Sequence, residues 1–208
     1  MSEPRRALLV DDDPMVLEAT AAVLQDSASI RVIGSASSAA AARTALEDEV
    51  PDVVVTDLIL GPHQPDGIQL TKAIKAAHPM LPVVLLSGYD EAVFAERAIE
   101  AGAAGFVMKT SPVDVLVEAV QTAIGGGIWV SRSVREQLML GPQGVDLGGV
   151  LDATLLQELQ RGNRSVVGLR RVLGWPLSEV ERELDRACMR LGLPGRVALY
   201  LAASYQAA

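Results

Sequence analysis

At 208 residues, half of them hydrophobic, the chain is long enough for one large or two small domains with a substantial core. A single cysteine, Cys188, excludes an internal disulfide and suits a reducing compartment. The net charge of −8 is uneven: from Leu151 onward 8 Arg face 6 Asp and Glu, a net of +2, so the first 150 residues carry −10. The acidic part is a poor nucleic-acid surface, and the mildly basic C-terminal part is permissive for one. The opening Met-Ser-Glu-Pro-Arg-Arg leads into a short apolar run cut by three Asp, unlike a signal peptide, and no apolar stretch has membrane-spanning length. A soluble cytoplasmic protein with no membrane partner is expected.

The first 125 residues alternate strand and helix. The run from Ala7 to Val10 reads as a strand. Residues 14–25 then repeat apolar side chains at helical spacing (Val16, Leu17, Ala21, Val23, Leu24), with Asp13-Pro14 as N-cap and first helical residue. Residues 30–34 read as a short strand, 37–47 as an Ala-rich helix, 52–57 as a strand and 66–77 as a helix. Residues 81–87 form the next strand, 90–101 a helix ended by Gly102, 104–109 the fifth strand and 112–124 the fifth helix. Nearly all-apolar central strands alternating with helices predict an α/β fold, a five-stranded doubly wound parallel sheet. Residues 125–150 hold seven Gly and one helical stretch, 131–140, and read as a linker. From Leu151 the pattern is helical, over 151–160, 165–173, 177–191 and 194–204, which predicts a second, small all-α four-helix domain. The expected division is 1–125, 126–150 and 151–208.

Four of the apolar runs end on polar residues. Ala7-Leu8-Leu9-Val10 ends on Asp11-Asp12-Asp13, Val53-Val54-Val55-Thr56 on Asp57, Val83-Val84-Leu85-Leu86 on Ser87, and Ala104-Gly105-Phe106-Val107-Met108 on Lys109. Ligands of an open parallel sheet bind at the carboxyl ends of its strands, so carboxylates, a hydroxyl and an ammonium should converge on one rim. Clustered carboxylates repel one another unless a cation compensates. A hard divalent ion such as Mg2+ takes oxygen ligands and leaves room for phosphate oxygens. Asp57 then suits a nucleophile that forms an aspartyl phosphate, with Lys109 neutralising phosphoryl charge and Ser87 donating a hydrogen bond to it. Gly88 leaves space for the group. Singly, each residue has a plainer reading: an Asp run is a solvated turn or cap, a Lys after a strand snorkels at the surface, Ser87 starts a turn and Phe106 packs the core. The conjunction points to phosphoryl transfer.

Through LLVDDDP, VVVTDL, VVLLSG and GFVMKTSP the chain resembles the receiver domain of bacterial two-component response regulators, over roughly residues 5–125. The resemblance implies a flavodoxin-like fold, Mg2+ held by Asp11, Asp12, Asp57 and the backbone carbonyl of Ile59, and phosphorylation of Asp57 by a histidine kinase. It also implies a switch pair, in which the Ser87 hydroxyl moves to the phosphoryl group and the Phe106 ring swings inward behind it. One departure is the loop Leu-Ile-Leu-Gly-Pro-His-Gln-Pro-Asp-Gly after Asp57, about two residues longer than in many receivers. It brings His63 near the site, by default as a solvated loop residue, alternatively in a metal or acid–base role. The longer loop would bear on kinase docking or dephosphorylation rate. Phosphatases of the haloacid dehalogenase type also combine a strand-end Asp, a Ser/Thr and a Lys. They need a second Asp two residues after the nucleophile, where this chain has Ile59, and here the acidic pair precedes the nucleophile. A self-phosphorylating switch, not an enzyme, is expected.

The segment GGGIWVSRSVREQL resembles the linker helix of NarL/LuxR-type regulators, and the tail resembles their four-helix helix-turn-helix domain, most clearly in LGWPLSEV and MRLGL. That implies a dimeric DNA-binding transcriptional regulator whose recognition helix is 177–191. Val180, Leu184, Ala187 and Leu191 should face its core. The opposite face carries Glu179, Glu181, Arg182, Glu183, Asp185 and Arg186, and its carboxylates are repelled by phosphates. The cations offered to DNA are Arg170, Arg171, Arg182 and Arg186. The alternative is a degenerate module that acts by protein–protein contact or dimerisation and does not bind DNA.

Overall fold

The computed structural model describes residues 3–61, 67–89, 92–138 and 147–206. Among these residues five short strands, β1 (Arg5–Val10), β2 (Ile30–Ala36), β3 (Val53–Asp57), β4 (Val83–Ser87) and β5 (Gly105–Met108), pair in parallel in the order β2-β1-β3-β4-β5. Strand order reverses at β1, so the crevice between the ends of β1 and β3 is the topological switch point where such sheets bind ligands. The inner strands β1, β3 and β4 carry long apolar stretches because both faces of the sheet are covered there, whereas the edge strand β2 carries exposed Arg31 and Ser35.

Period-two alternation divides the strand residues between two cores. Ala7, Leu9, Val53, Val55, Val84, Leu86 and Val107 belong to one, with Leu116, Ala119 and Val120. This is the side of α1 (Pro14–Asp26) and α5 (Val113–Ile124), which pack together. Leu8, Val10, Val54, Val83, Leu85 and Phe106 belong to the other, on the side of α2 (Ala39–Asp48), α3 (Gly67–Ala77) and α4 (Ala92–Glu100). The second strand is longer than the expected 30–34. A register shift between Ala7 and Leu8 carries the pairing on to Val10 opposite Ala36, and the Asp11 N–H donates to Ala36 O at 3.1 Å.

The segment read as linker is partly sheet. After α5, residues 127–130 run beside β5: the Trp129 N–H donates to Ala104 O at 2.9 Å and the Phe106 N–H to Trp129 O at 3.1 Å, with Gly105 opposite Trp129 in parallel sense. Ile128 and Val130 are buried in the core on the α4 side, and Trp129 packs against the other. Then come α6 (Arg132–Leu138), α7 (Ala153–Gln160), α8 (Val166–Leu173), α9 (Leu177–Leu191) and α10 (Arg196–Gln206).

Local chemistry sets the ends of these helices. Asp152 caps α7 by accepting from the Thr154 and Leu155 N–H groups, and Ser165 caps α8 through the Gly168 N–H. Gly174 (φ 70°) and Gly192 (φ 63°) terminate α8 and α9 in the left-handed conformation that glycine adopts without penalty. Leu155, Leu159, Leu169, Leu184, Leu199 and Leu201 are fully buried, each contributing about 1.5–3 kcal/mol. They join the α4-side core of the sheet, because α8 packs on α3, and α6 and α10 pack on α4.

Candidate functional site

Three strand ends deliver the rim. Asp11 and Asp12 follow β1, Asp57 ends β3 and Lys109 follows β5. The Lys109 Nζ donates to Asp11 Oδ2 at 2.8 Å and lies 3.0 Å from Asp57 Oδ1. Backbone donors fix the acids: the Asp13 N–H donates to Asp11 Oδ1 at 2.9 Å and the Leu58 N–H to Asp57 Oδ1 at 2.9 Å. Asp11 and Asp57 are buried, whereas Asp12 is exposed. Close packing behind Asp57 holds it in place. The Gly67 N–H donates to Leu58 O at 2.8 Å, and a Cβ on Gly67 would collide with the Asp57 carbonyl.

The electrostatics leave the site short of positive charge. Burial raises the Asp57 pKa above the ordinary aspartate value and Asp11 adds to the rise, against the opposing pull of Lys109 and the Leu58 N–H. Burial works against the Lys109 charge, but hydrogen bonds to Asp11 and Asp57 outweigh it and lift its pKa. One ammonium thus faces three carboxylates whose oxygens lie within 4.8 Å of one another. An all-oxygen, anionic set of this size fits a hard divalent cation.

Ser87 is fully buried; its Oγ accepts from the Tyr89 N–H and donates to Tyr89 O, both at 2.9 Å. The Lys109 N–H donates to Ser87 O at 2.7 Å, tying these two strand ends together. Phe106 is only 4 % exposed, so it has little further burial to gain. Ile59 follows β3 with its side chain exposed. His63 lies outside the described residues, with the rest of residues 62–66. Beside Lys109 an apolar groove of about 450 Å³ opens between α1 and α5, lined by Met15, Val16, Thr20, Met108, Pro112 and Val113 among others.

On α9, Val180, Leu184 and Ala187 are buried as their spacing predicts, joined by Cys188, while Leu191 is only half-buried. Glu179, Arg182, Asp185 and Arg186 are exposed, and Glu181 and Glu183 half-buried. Arg186 is engaged by Glu183 at 2.6 Å and Asp185 by Arg196 at 2.6 and 2.8 Å. Arg170 is exposed, and Arg171 donates to Ala76 O at 3.0 Å, reaching the end of α3. Among the described residues, three buried charged side chains escape sequence reasoning: Lys75, Glu158 and Arg164. The signal available for Lys75 was its place between Ile74 and two alanines; none marks Arg164.

Comparison with known proteins covers both halves of the chain. The response regulator receiver domain family matches residues 7–121. The transcriptional regulatory protein MctR of Rhizobium johnstonii is 34 % identical over 137 residues, 64 % of this chain, which spans 62 % of MctR. The probable transcriptional regulatory protein NarL of Mycobacterium tuberculosis is 29 % identical over 206 residues, 95 % of this chain and 94 % of its own length. The Salmonella typhimurium RcsB response regulator covers 97 % of this chain and 99 % of its own, with a TM-score of 0.60 at 21 % identity, a likeness of fold. With the rim geometry and the family match in agreement, the chain belongs to the response regulator receiver family, with NarL-type relatives along nearly its whole length.

Proposed function

We propose that this chain is a phosphorylation-controlled regulator in which a histidine kinase phosphorylates Asp57 and the modified rim resets a C-terminal DNA-binding module. The observation that carries the reading is the convergence of Asp11, Asp12, Asp57 and Lys109 at the switch point. Asp57 Oδ1 is anchored by Leu58 and Lys109, which leaves Oδ2 to attack. That oxygen bonds to phosphorus as the P–N bond of the donor phosphohistidine breaks, the electron pair going to the imidazole. Lys109 then meets the added negative charge. Asp11, Asp12, Asp57 and the Ile59 carbonyl would hold Mg2+, which neutralises the phosphate oxygens when bound. The groove beside Lys109 supports docking of the donor along α1 and α5.

Ser87 is the hydroxyl that answers the new group, exchanging its bond to Tyr89 O for one to a phosphoryl oxygen. Since Phe106 is already buried, its part in the switch is carried by its strand and not by ring burial. Residues 1–125 serve as phosphoacceptor, 126–150 as linker and 151–208 as output.

The output reading rests on relatives named transcriptional regulatory proteins. Arg170 and Arg182, with Arg171 and Arg186 released from their present partners, supply the cations for a dimer on DNA. The carboxylates of α9 keep affinity low and salt-sensitive. Fluorescence anisotropy with genomic DNA fragments at low and moderate salt, before and after phosphorylation, tests this. Binding that tightens on phosphorylation supports it. No binding at low salt in either state overturns it in favour of a protein-contact module.

A further inference from the structure

Between the phosphoacceptor rim and the output helices lies one continuous set of bonded atoms. Lys109, which touches Asp57, directly follows β5. In β5 the Phe106 N–H donates to Trp129 O, and the Trp129 N–H returns to Ala104 O. Gly105 makes this pairing close: a Cβ there would lie 3.2 Å from Val84 and 3.6 Å from Trp129 O. Upstream of Trp129, the Gly126 carbonyl accepts from Arg164 Nη2. The same nitrogen donates to Ser204 Oγ of α10 at 2.8 Å, and Nη1 reaches Gly162 O at 3.4 Å. Gly126 (φ 84°) and Gly162 (φ 92°) meet backbone to backbone, and a Cβ on Gly162 would lie 3.2 Å from Gly126 Cα.

Arg164 is 1 % exposed. Among the described residues each of its hydrogen-bond acceptors is a neutral oxygen, and its Nε has no partner. A buried cation without a counter-ion is costly, so this clasp holds only while the surrounding surfaces stay matched. Packed interfaces switch between discrete arrangements and do not deform smoothly, which is how a small shift of β5 would reach the clasp.

We propose that residues 127–130 form a transmission strand: it reads the position of β5 through Phe106 and passes it to the output helices through the Arg164 clasp on Gly126. The inference rests on Asp57 being the phosphoacceptor. In the resting state the strand is paired and Arg164 closed. Phosphorylation pulls Lys109 and the end of β5 toward the phosphoryl group, the strand unpairs, and Arg164 is freed to water together with the α7–α8 turn and α10.

Hydrogen–deuterium exchange on the full chain with Mg2+ tests this, using beryllofluoride as phosphoryl mimic, in wild type and in the Asp57→Asn, Arg164→Ala and Ser204→Ala variants. Beryllofluoride should speed exchange of the Phe106 and Trp129 amides about tenfold in wild type and leave Asp57→Asn unchanged. Without the mimic, Arg164→Ala should speed the same two amides about fivefold, and Ser204→Ala should do so by a smaller factor. Ser204→Ala decides should Arg164→Ala not fold. A response at residues 53–58 and 104–109 with residues 127–130 unchanged overturns the transmission strand and leaves the phosphoacceptor reading standing. Unchanged Trp129 exchange in the folded clasp variants overturns it as well. Loss of the response at residues 53–58 in wild type marks failure of the phosphoacceptor reading itself.

Discussion

The Lys109 ammonium sits 3.0 Å from Asp57 Oδ1, on the oxygen that also accepts from the Leu58 N–H. A lysine in that position orients the acid and offsets part of its crowding with Asp11. The Lys109 N–H also donates to Ser87 O, so the residue whose ammonium touches Asp57 ties the end of β5 to the end of β4.

Removing that ammonium separates metal binding from signalling. In Lys109→Ala the three carboxylates lose their internal cation, so Mg2+ should bind more tightly, by about 3–10-fold. Titration calorimetry reads the affinity, and the phosphorylation-dependent change in DNA anisotropy should disappear in the same variant.

Gly67 is where α3 crosses behind Asp57. Gly67→Ala must push the Asp57 carbonyl aside, and overpacking of this kind costs about 1–3 kcal/mol. The variant should show a lower urea midpoint and weaker Mg2+ binding. Gly88→Ala, where a Cβ meets nothing within 4 Å, serves as control and should leave both unchanged.

Lys75 gives the chain a predictable pH dependence. Its Nζ donates to Leu81 O at 2.9 Å, and burial, assisted by the charge of Arg164, lowers its pKa to about 7. Between about 7 and the free lysine value of 10.5 the unfolded chain binds a proton that the folded chain lacks, so stability rises with pH across that window. Below about 7 both states are protonated and the penalty is complete, on the order of a few kcal/mol. Lys75→Met keeps the stem packed under Gly102 and removes the charge. Urea midpoints should show the variant more stable than wild type near neutral pH, with the gap narrowing toward about pH 10.

The rim was legible in the sequence because each strand is a short apolar run stopped by a polar residue. Parallel β-sheets put such stops on one edge, so Asp11, Asp57, Ser87 and Lys109 could be placed together before any fold was known. The core face of α9 was legible for the same kind of reason, a repeat of Val180, Leu184 and Ala187 at helical spacing. The pairing of residues 127–130 was not: Ile-Trp-Val follows three glycines and is too short to declare a strand, and only the free edge of β5 makes it one. Arg164 and Lys75 were also out of reach. Their types predict exposure, and they are buried by helices that meet them from distant parts of the chain.

The most direct measurement is phosphoryl incorporation from a labelled small-molecule phosphodonor with Mg2+, in wild type and Asp57→Asn, with the modified residue located by mass spectrometry. The account predicts one acid-stable, base-labile phosphoryl group on Asp57, lost in Asp57→Asn and lost when the metal is chelated. Label retained in Asp57→Asn, or found on any other residue of the folded protein, would contradict it.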